Sequence, residues 1–395
     1  MSDDASPTPS TELADHRESE RAAKAGDRLS YPFDRPPEPG QTRPVADGIW
    51  WLRMPLPFRL DHINLYLLAD GDGWAVVDTG LNTSKTRALW EGVFDGPMAG
   101  RPVTRVIVTH MHPDHIGLAG WLAERFSVPL YMTRAEFLTA KTLLLDARDE
   151  PPGEALAFYA RAGFSDQALD AMRERGYGNY ARAVAKLPVG YRRLEDGDEL
   201  AIGGRRWRIL TSGGHAPEHA CLSTADGPIL ISGDQVLPRI TSNVGVYPTE
   251  PYADPMDQWL TGLARLKALV PADSLVLPSH NRPFKGLDRR LDDLIEGHLD
   301  RLVALTDLCR EPVSALEAFP ALYRREITGM ELVMAVGESL AHLHYLERRG
   351  VVDRVAQNGV DRFVTVGDFD PDGVRRELSA DGESSAAGSD AHGRS

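Results

Sequence analysis

The segment Thr109-His110-Met111-His112-Pro113-Asp114-His115 places three imidazoles and a carboxylate within six residues. It follows the apolar run Val106-Ile107-Val108, whose length and β-branched content read as a buried strand. Side chains two apart on an extended segment share a face, so His110 and His112 can address one metal ion. Past Pro113 the chain turns, and Asp114 and His115 can address a second. Imidazole nitrogen with carboxylate oxygen is the donor set of zinc and related borderline divalent metals.

Further donors recur downstream in the same setting. Gly213-Gly214-His215 follows Trp207-Arg208-Ile209-Leu210, Ser232-Gly233-Asp234 follows Pro228-Ile229-Leu230-Ile231, and Ser279-His280 follows Ser274-Leu275-Val276-Leu277. Each is a polar residue at the C-terminal end of an apolar run, beside small residues that let the backbone approach an ion. Taken singly, each also reads as an ordinary loop residue. Together with the first cluster they make five His and two Asp, enough for two ions with a position left for water.

This ordered set, with Asp78-Thr79-Gly80, resembles the metallo-β-lactamase fold superfamily over about residues 45–285. The resemblance implies an αββα sandwich of two mixed sheets. It also implies that His110, His112 and His215 bind one ion and Asp114, His115 and His280 a second. Asp234 would bridge both ions with a hydroxide, and Asp114 and Asp234 would be the catalytic carboxylates. Asp78 would lie under the site and fix the ligand loops, which is compatible with its other reading as a turn Asp.

The pattern also prunes the superfamily. His112 stands where flavodiiron proteins carry Glu, and the joint presence of His115 and Asp234 departs from the lactamase subclasses. What remains is similar to glyoxalase II (hydroxyacylglutathione hydrolase), the metallo-lactonases and the nuclease branch. The expectation is a dinuclear hydrolase acting on an acyl thioester, lactone or related ester, with zinc as the ion and iron or manganese as alternatives. A metal-dependent nuclease or a β-lactam hydrolase is the alternative function. His219, Arg239, Asn243 and Tyr247 are candidates to support the site or touch substrate, although a structural loop His and a surface salt bridge describe His219 and Arg239 as well. The basic residues through which glyoxalase II relatives hold glutathione have no counterpart that can be placed here.

The elements that must position these residues follow from spacing and composition. Strands are expected at Ile49–Leu52, Ile63–Leu68 and Trp74–Val77, and a helix from Ile116 to Arg125. Residues 134–190 read as a helical insertion, with helices at Arg134–Leu145, Glu154–Ala162 and Leu169–Arg175. This insertion lies where relatives place a lid. Phe137, Leu144, Phe158, Tyr159, Tyr177 and Tyr180 are candidates for its apolar wall, or for packing its helices together. Residues 286–370 resemble a winged helix: helices at Leu291–Leu308 and Met334–Arg349, then a hairpin across Gln357-Asn358-Gly359. The acids Glu338 and Glu347 on the presumed recognition helix favour a packing or homodimer module over a DNA reader.

Residues 1–44 and 371–395 are polar and poor in large apolar side chains, and are expected to be disordered tails. The net charge is −14, nine of it outside those tails, which makes nucleic acid an unfavoured partner and a small acyl substrate a suitable one. Two cysteines, Cys221 and Cys309, give no disulfide framework. No secretory signal or membrane span is apparent, so a cytoplasmic location is expected.

Overall fold

The computed structural model describes residues 29–392 apart from 99, 179 and 330. In chain order the strands and helices are β1 (Thr42–Ala46), β2 (Ile49–Pro55), β3 (His62–Asp70), β4 (Gly73–Val77), α1 (Ser84–Asp95), β5 (Val103–Ile107), α2 (Pro113–Ile116), α3 (Ala119–Phe126) and β6 (Leu130–Thr133). The insertion supplies α4 (Arg134–Leu145), α5 (Gly153–Arg161), α6 (Asp166–Arg175) and α7 (Tyr180–Ala183). Next come β7 (Arg192–Leu194), β8 (Glu199–Ile202), β9 (Arg205–Ser212), β10 (His219–Thr224), β11 (Ile229–Gly233), α8 (Pro255–Leu269) and β12 (Leu275–Pro278). The C-terminal part holds α9 (Leu287–Leu308), α10 (Phe319–Leu322), α11 (Glu331–Arg348), β13 (Val352–Gln357), β14 (Val360–Thr365) and α12 (Pro371–His392).

Strands β1 to β7 form one sheet in sequence order, antiparallel as far as β4 and parallel from β4 to β7. The second sheet runs β12-β11-β10-β9-β8, with β11 and β12 parallel. Period-two alternation decides which layer each side chain joins. Tyr66 and Leu68 of β3 face between the sheets with Ile209, Leu222, Ile231 and Leu277. Their neighbours Leu65 and Leu67 face outward onto Trp90 of α1 and Leu122 of α3. Leu210, Cys221, Leu230 and Val276 of the second sheet face α8, α9 and α11. Two mixed sheets between helical layers result, the expected sandwich.

Several local expectations are corrected. The helix expected from Ile116 to Arg125 is two pieces, because the chain leaves helical geometry at Leu118 (φ −108°, ψ 9°); Gly117 before it lets the backbone pack closely, since a Cβ there would lie 2.4 Å from the Pro113 carbonyl oxygen and 2.5 Å from that of Gly80. The expected tail 1–44 is only partly testable, since residues 1–28 lie outside the described residues. From Leu29 the chain is packed: Leu29 is buried, Ser30 pairs with Lys285, and β1 begins at Thr42. The expected tail 371–395 is also overturned over its described residues, 371–392, because α12 seats Val374 and Leu378 in the core beside α8. Those two residues, four apart on a polar helix, give too weak a stripe to outweigh the composition. Helix α11 is buried continuously from Ala335 to Leu346, so it packs inside the molecule and presents no groove-reading face there. Among the described residues no helix is long and apolar enough to cross a membrane.

Candidate metal centre

The C-terminal ends of β5, β9, β11 and β12 deliver expected donors to one edge of the sandwich, and that of β4 brings Asp78 beneath them. Asp78 follows β4, His110 follows β5, His215 lies between β9 and β10, Asp234 follows β11, and His280 follows β12. His112 caps α2, whose single turn carries Asp114 and His115.

Two donor groups form there. His110 Nε2 and His215 Nε2 lie 2.8 and 3.0 Å from His112 Nδ1, and Asp234 Oδ2 is 3.4 Å from His215 Nε2. Asp114 Oδ2 lies 3.8 Å from His115 Nε2 and 3.5 Å from His280 Nε2. Asp234 stands between the groups, with Oδ2 3.4 Å from His115 Nε2 and Oδ1 3.4 Å from His280 Nε2.

The arrangement fits divalent cations. His115 Nε2 and Asp234 Oδ1 are buried without a hydrogen-bond partner, a costly state for polar atoms. Imidazole lone pairs that face one another at 2.8–3.0 Å repel unless a proton or cation lies between them. The outward nitrogens fix the tautomers. His115 Nδ1 donates to Asp78 Oδ2 (2.8 Å), His215 Nδ1 to the Asn243 carbonyl (2.7 Å) and His280 Nδ1 to the His62 carbonyl (2.8 Å). His110 Nδ1 donates to Thr109 Oγ1 (3.0 Å), which in turn donates to Asp78 Oδ2 (2.9 Å). In the neutral rings four Nε2 lone pairs are thereby aimed at the cluster, and this outward bonding also raises ligand basicity.

Charge is distributed unevenly. Burial, reinforced by the neighbouring imidazoles, holds His110 and His112 well below the usual histidine range. Burial also works against a charged His115, but Asp234, Asp114 and Asp78 outweigh it and hold that ring well above the range.

The remaining candidates separate by position. Asp78, at φ +58°, bonds His115 and also accepts from the Thr109 backbone N–H at 2.8 Å, which ties two loops together beneath the donors. His219 is fully buried, and burial lowers it to about 3, so its Nε2 accepts the Asp234 backbone N–H at 3.1 Å. Gly233 permits this approach, since a Cβ there would lie 2.4 Å from that nitrogen. His219 therefore supports the Asp234 backbone. Asn243 holds His215 through its carbonyl, and its side chain accepts from Tyr247 Oη at 2.7 Å. Arg239 is exposed on the loop beyond Asp234, 6.0 Å from the Tyr31 ring, and makes no ion pair among the described residues.

An open cavity of about 420 Å³ adjoins the first donor group, with His112 and His215 in its wall. Tyr159, Tyr177 and Tyr180 of the insertion line it, joined by Leu143 and Tyr247. Phe137, Leu144 and Phe158 do not. Phe137 stacks on Tyr191 at 3.9 Å, and the other two pack within helical layers.

One contributor has no warning in the residue pattern. Glu136, in the first turn of α4, is fully buried and accepts the backbone N–H groups of Met111 (2.8 Å) and Glu218 (2.7 Å). It thus joins the His110–His112 loop to the His215–His219 loop. Burial pushes its carboxyl up to about 7, with the two N–H donors pulling the other way. An acid near a helix start ordinarily reads as a dipole partner, and only the fold places it between two loops.

The profile of the Metallo-beta-lactamase superfamily matches residues 59–280, a span that contains all seven donors. A second profile, "Metallo-beta-lactamase-like, C-terminal domain", matches residues 302–366. A probable metallo-hydrolase of Bacillus subtilis (YqjP) is 23% identical, covering 82% of this chain and 99% of its own length. Human acyl-coenzyme A thioesterase MBLAC2 is 26% identical over 49% of this chain and 64% of its own. A beta-lactamase domain protein from Burkholderia ambifaria superposes with a TM-score of 0.80 at 43% identity, covering 87% of this chain and all of that one. A metallo-beta-lactamase family protein from Thermus thermophilus gives 0.68 at 28% identity over 82% of this chain and all of that one.

Proposed function

We propose that this chain, which belongs to the metallo-β-lactamase superfamily, is a dinuclear metallo-hydrolase of acyl thioesters or related carboxylic esters. The observation that carries the reading is the pair of donor groups sharing Asp234 beside a largely apolar cavity. A relative named as an acyl-coenzyme A thioesterase supports the thioester as substrate.

His110, His112, His215 and Asp234 would hold one ion, and Asp114, His115, His280 and Asp234 the other. Ions bound there supply a Lewis acid and bring the pKa of a coordinated water from ~15.7 toward ~7. The remaining work falls to the chain. Asp234 is fixed at its N–H by His219 and at its carbonyl by Ser242, so its carboxylate is aimed to orient the attacking water and take its proton. Asp114, with its side chain 20% exposed, is placed to exchange protons with solvent. The tyrosines and Leu143 accept an acyl chain and shed water from it.

The test is a substrate panel offered to purified, metal-loaded protein: acyl thioesters of graded chain length, lactones, a β-lactam and phosphodiesters. Thioester turnover that chelator abolishes, and that His112→Ala lowers by at least about 100-fold, is the expected result. Cleavage confined to phosphodiesters would replace this reading with the nuclease one.

A further inference from the structure

A second cavity, of about 340 Å³, lies behind His280, with Arg53, Arg239 and Arg282 in its wall beside Asp34, His62 and Asn281. The three guanidinium groups come from separate segments: β2, the loop beyond Asp234 and the loop beyond His280. In a chain of net charge −14 this is a local reversal of sign.

Their charge is poorly matched by protein. Arg53 Nη2 is 3.8 Å from Asp61 Oδ1, and that carboxylate is 77% exposed. Arg282 Nη1 donates to the backbone oxygen of Asp34 at 3.2 Å. Arg239 and Arg282 approach the Tyr31 ring at 6.0 and 4.6 Å. Among the described residues neither of these two has a carboxylate within ion-pair distance. Arginines elsewhere meet acids closely, as Arg125 does Glu91 at 2.6 Å and Arg375 does Glu296 at 2.7 Å. Burial lowers the pKa of Arg53, against the opposing pull of Asp61 and Glu38.

The location gives this charge a purpose. His62, in the cavity wall, holds His280 Nδ1 through its carbonyl and accepts the Asn281 N–H at 2.9 Å. The cationic cavity therefore lies against the outward side of His280, one residue beyond the second donor group, while the apolar cavity has His112 and His215 of the first in its own wall. A substrate whose scissile carbonyl lies at the donors and whose leaving group reaches past His280 would meet tyrosines and Leu143 on one side and guanidinium groups beyond the other. Guanidinium forks match phosphate oxygens in charge and geometry.

We propose that the Arg53–Arg239–Arg282 cavity binds a phosphate group carried on the leaving-group side of the acyl substrate. This rests on the acyl-hydrolase reading above. In the reaction water oxygen forms the new C–O bond, the C–S bond breaks, the acyl part departs as carboxylate, and the thiol takes a proton.

Two thioesters with the same acyl chain, one on coenzyme A and one on phosphate-free pantetheine, provide the test. The wild-type enzyme should favour the coenzyme A thioester by at least about tenfold in kcat/KM. In Arg239→Ala/Arg282→Ala that preference should collapse toward unity through KM, and Arg239→Lys/Arg282→Lys should retain part of it as point charge without the fork. Arg206→Ala, on an exposed strand position away from the cavity, should leave the preference intact. A second measurement needs no turnover: binding of desulfo-coenzyme A to metal-loaded protein by calorimetry, expected to weaken about tenfold in the double Ala variant. Thioester hydrolysis with no response in either measurement would overturn the phosphate site and leave the hydrolase reading standing. Arginine-dependent binding without thioester hydrolysis would do the reverse.

Discussion

Asp78 sits where a small change has a large reach, because one buried carboxylate bonds His115 and Thr109, and Thr109 in turn bonds His110. Asp78→Asn keeps the shape but removes the charge and turns one oxygen into a donor facing His115. Its metal affinity, measured by chelator competition, should fall roughly 10–100-fold while the fold persists. Residues of this kind are unequally legible in the sequence. The donor histidines and aspartates stand out because metal-binding side chains recur after apolar runs, and Asp78 is visible through its strand-ending turn. His219 is visible without its role, since a buried acceptor for a backbone N–H and a loop histidine look alike in sequence. The candidates Asn243 and Tyr247 act as a chain, tyrosine hydroxyl to amide and carbonyl to His215.

Helix α4 links the insertion to the donors through Glu136. Removing its carboxylate strands two N–H groups, each worth about 1–3 kcal/mol when left buried without a partner. Glu136→Ala should therefore cost about 3 kcal/mol by denaturant unfolding and lower turnover, with Glu136→Gln intermediate because its amide keeps one acceptor. Elements as units are readable where periodicity is strong. Arg134–Leu145 is found with the bounds its spacing predicts, and the helix near 154–162 and the hairpin across Asn358 are found within a residue or two. Composition misleads where tertiary contact outweighs it, at the break at Leu118 and at the polar helix α12.

Across the whole molecule, α9 and α11 meet through an ionisable contact inside the apolar core. His298 Nδ1 donates to His342 Nε2 at 3.2 Å, and His342 Nδ1 donates to the Glu338 carbonyl at 2.8 Å, with Arg301 and Arg290 nearby. Burial lowers His342 to about 3, against about 6.5 for an unfolded histidine. Between these values the unfolded chain binds the extra proton, so stability is full above about pH 6.5 and falls as pH drops through the window. At pH 5 this one ring should cost about 2 kcal/mol. Replacing it in His342→Gln should shrink the stability difference between pH 7 and pH 5 by that amount, as read from urea midpoints. A difference that stays the same would remove His342 from the acid response.

The proposed donors span residues 110 to 280 and hang from the ends of strands in both sheets. No short stretch of unfolded chain can gather them, and only the closed sandwich brings Asp234 between the two groups. Ion capture should thus be a late kinetic event, with chain collapse limited by the long loops that must close first. Refolding from urea should proceed at the same rate with or without added zinc, while the unfolding rate of the loaded protein should drop with metal concentration. Polypeptide synthesised during metal starvation would then accumulate as a folded, rechargeable reserve, ready to gain activity within the time an ion takes to diffuse in.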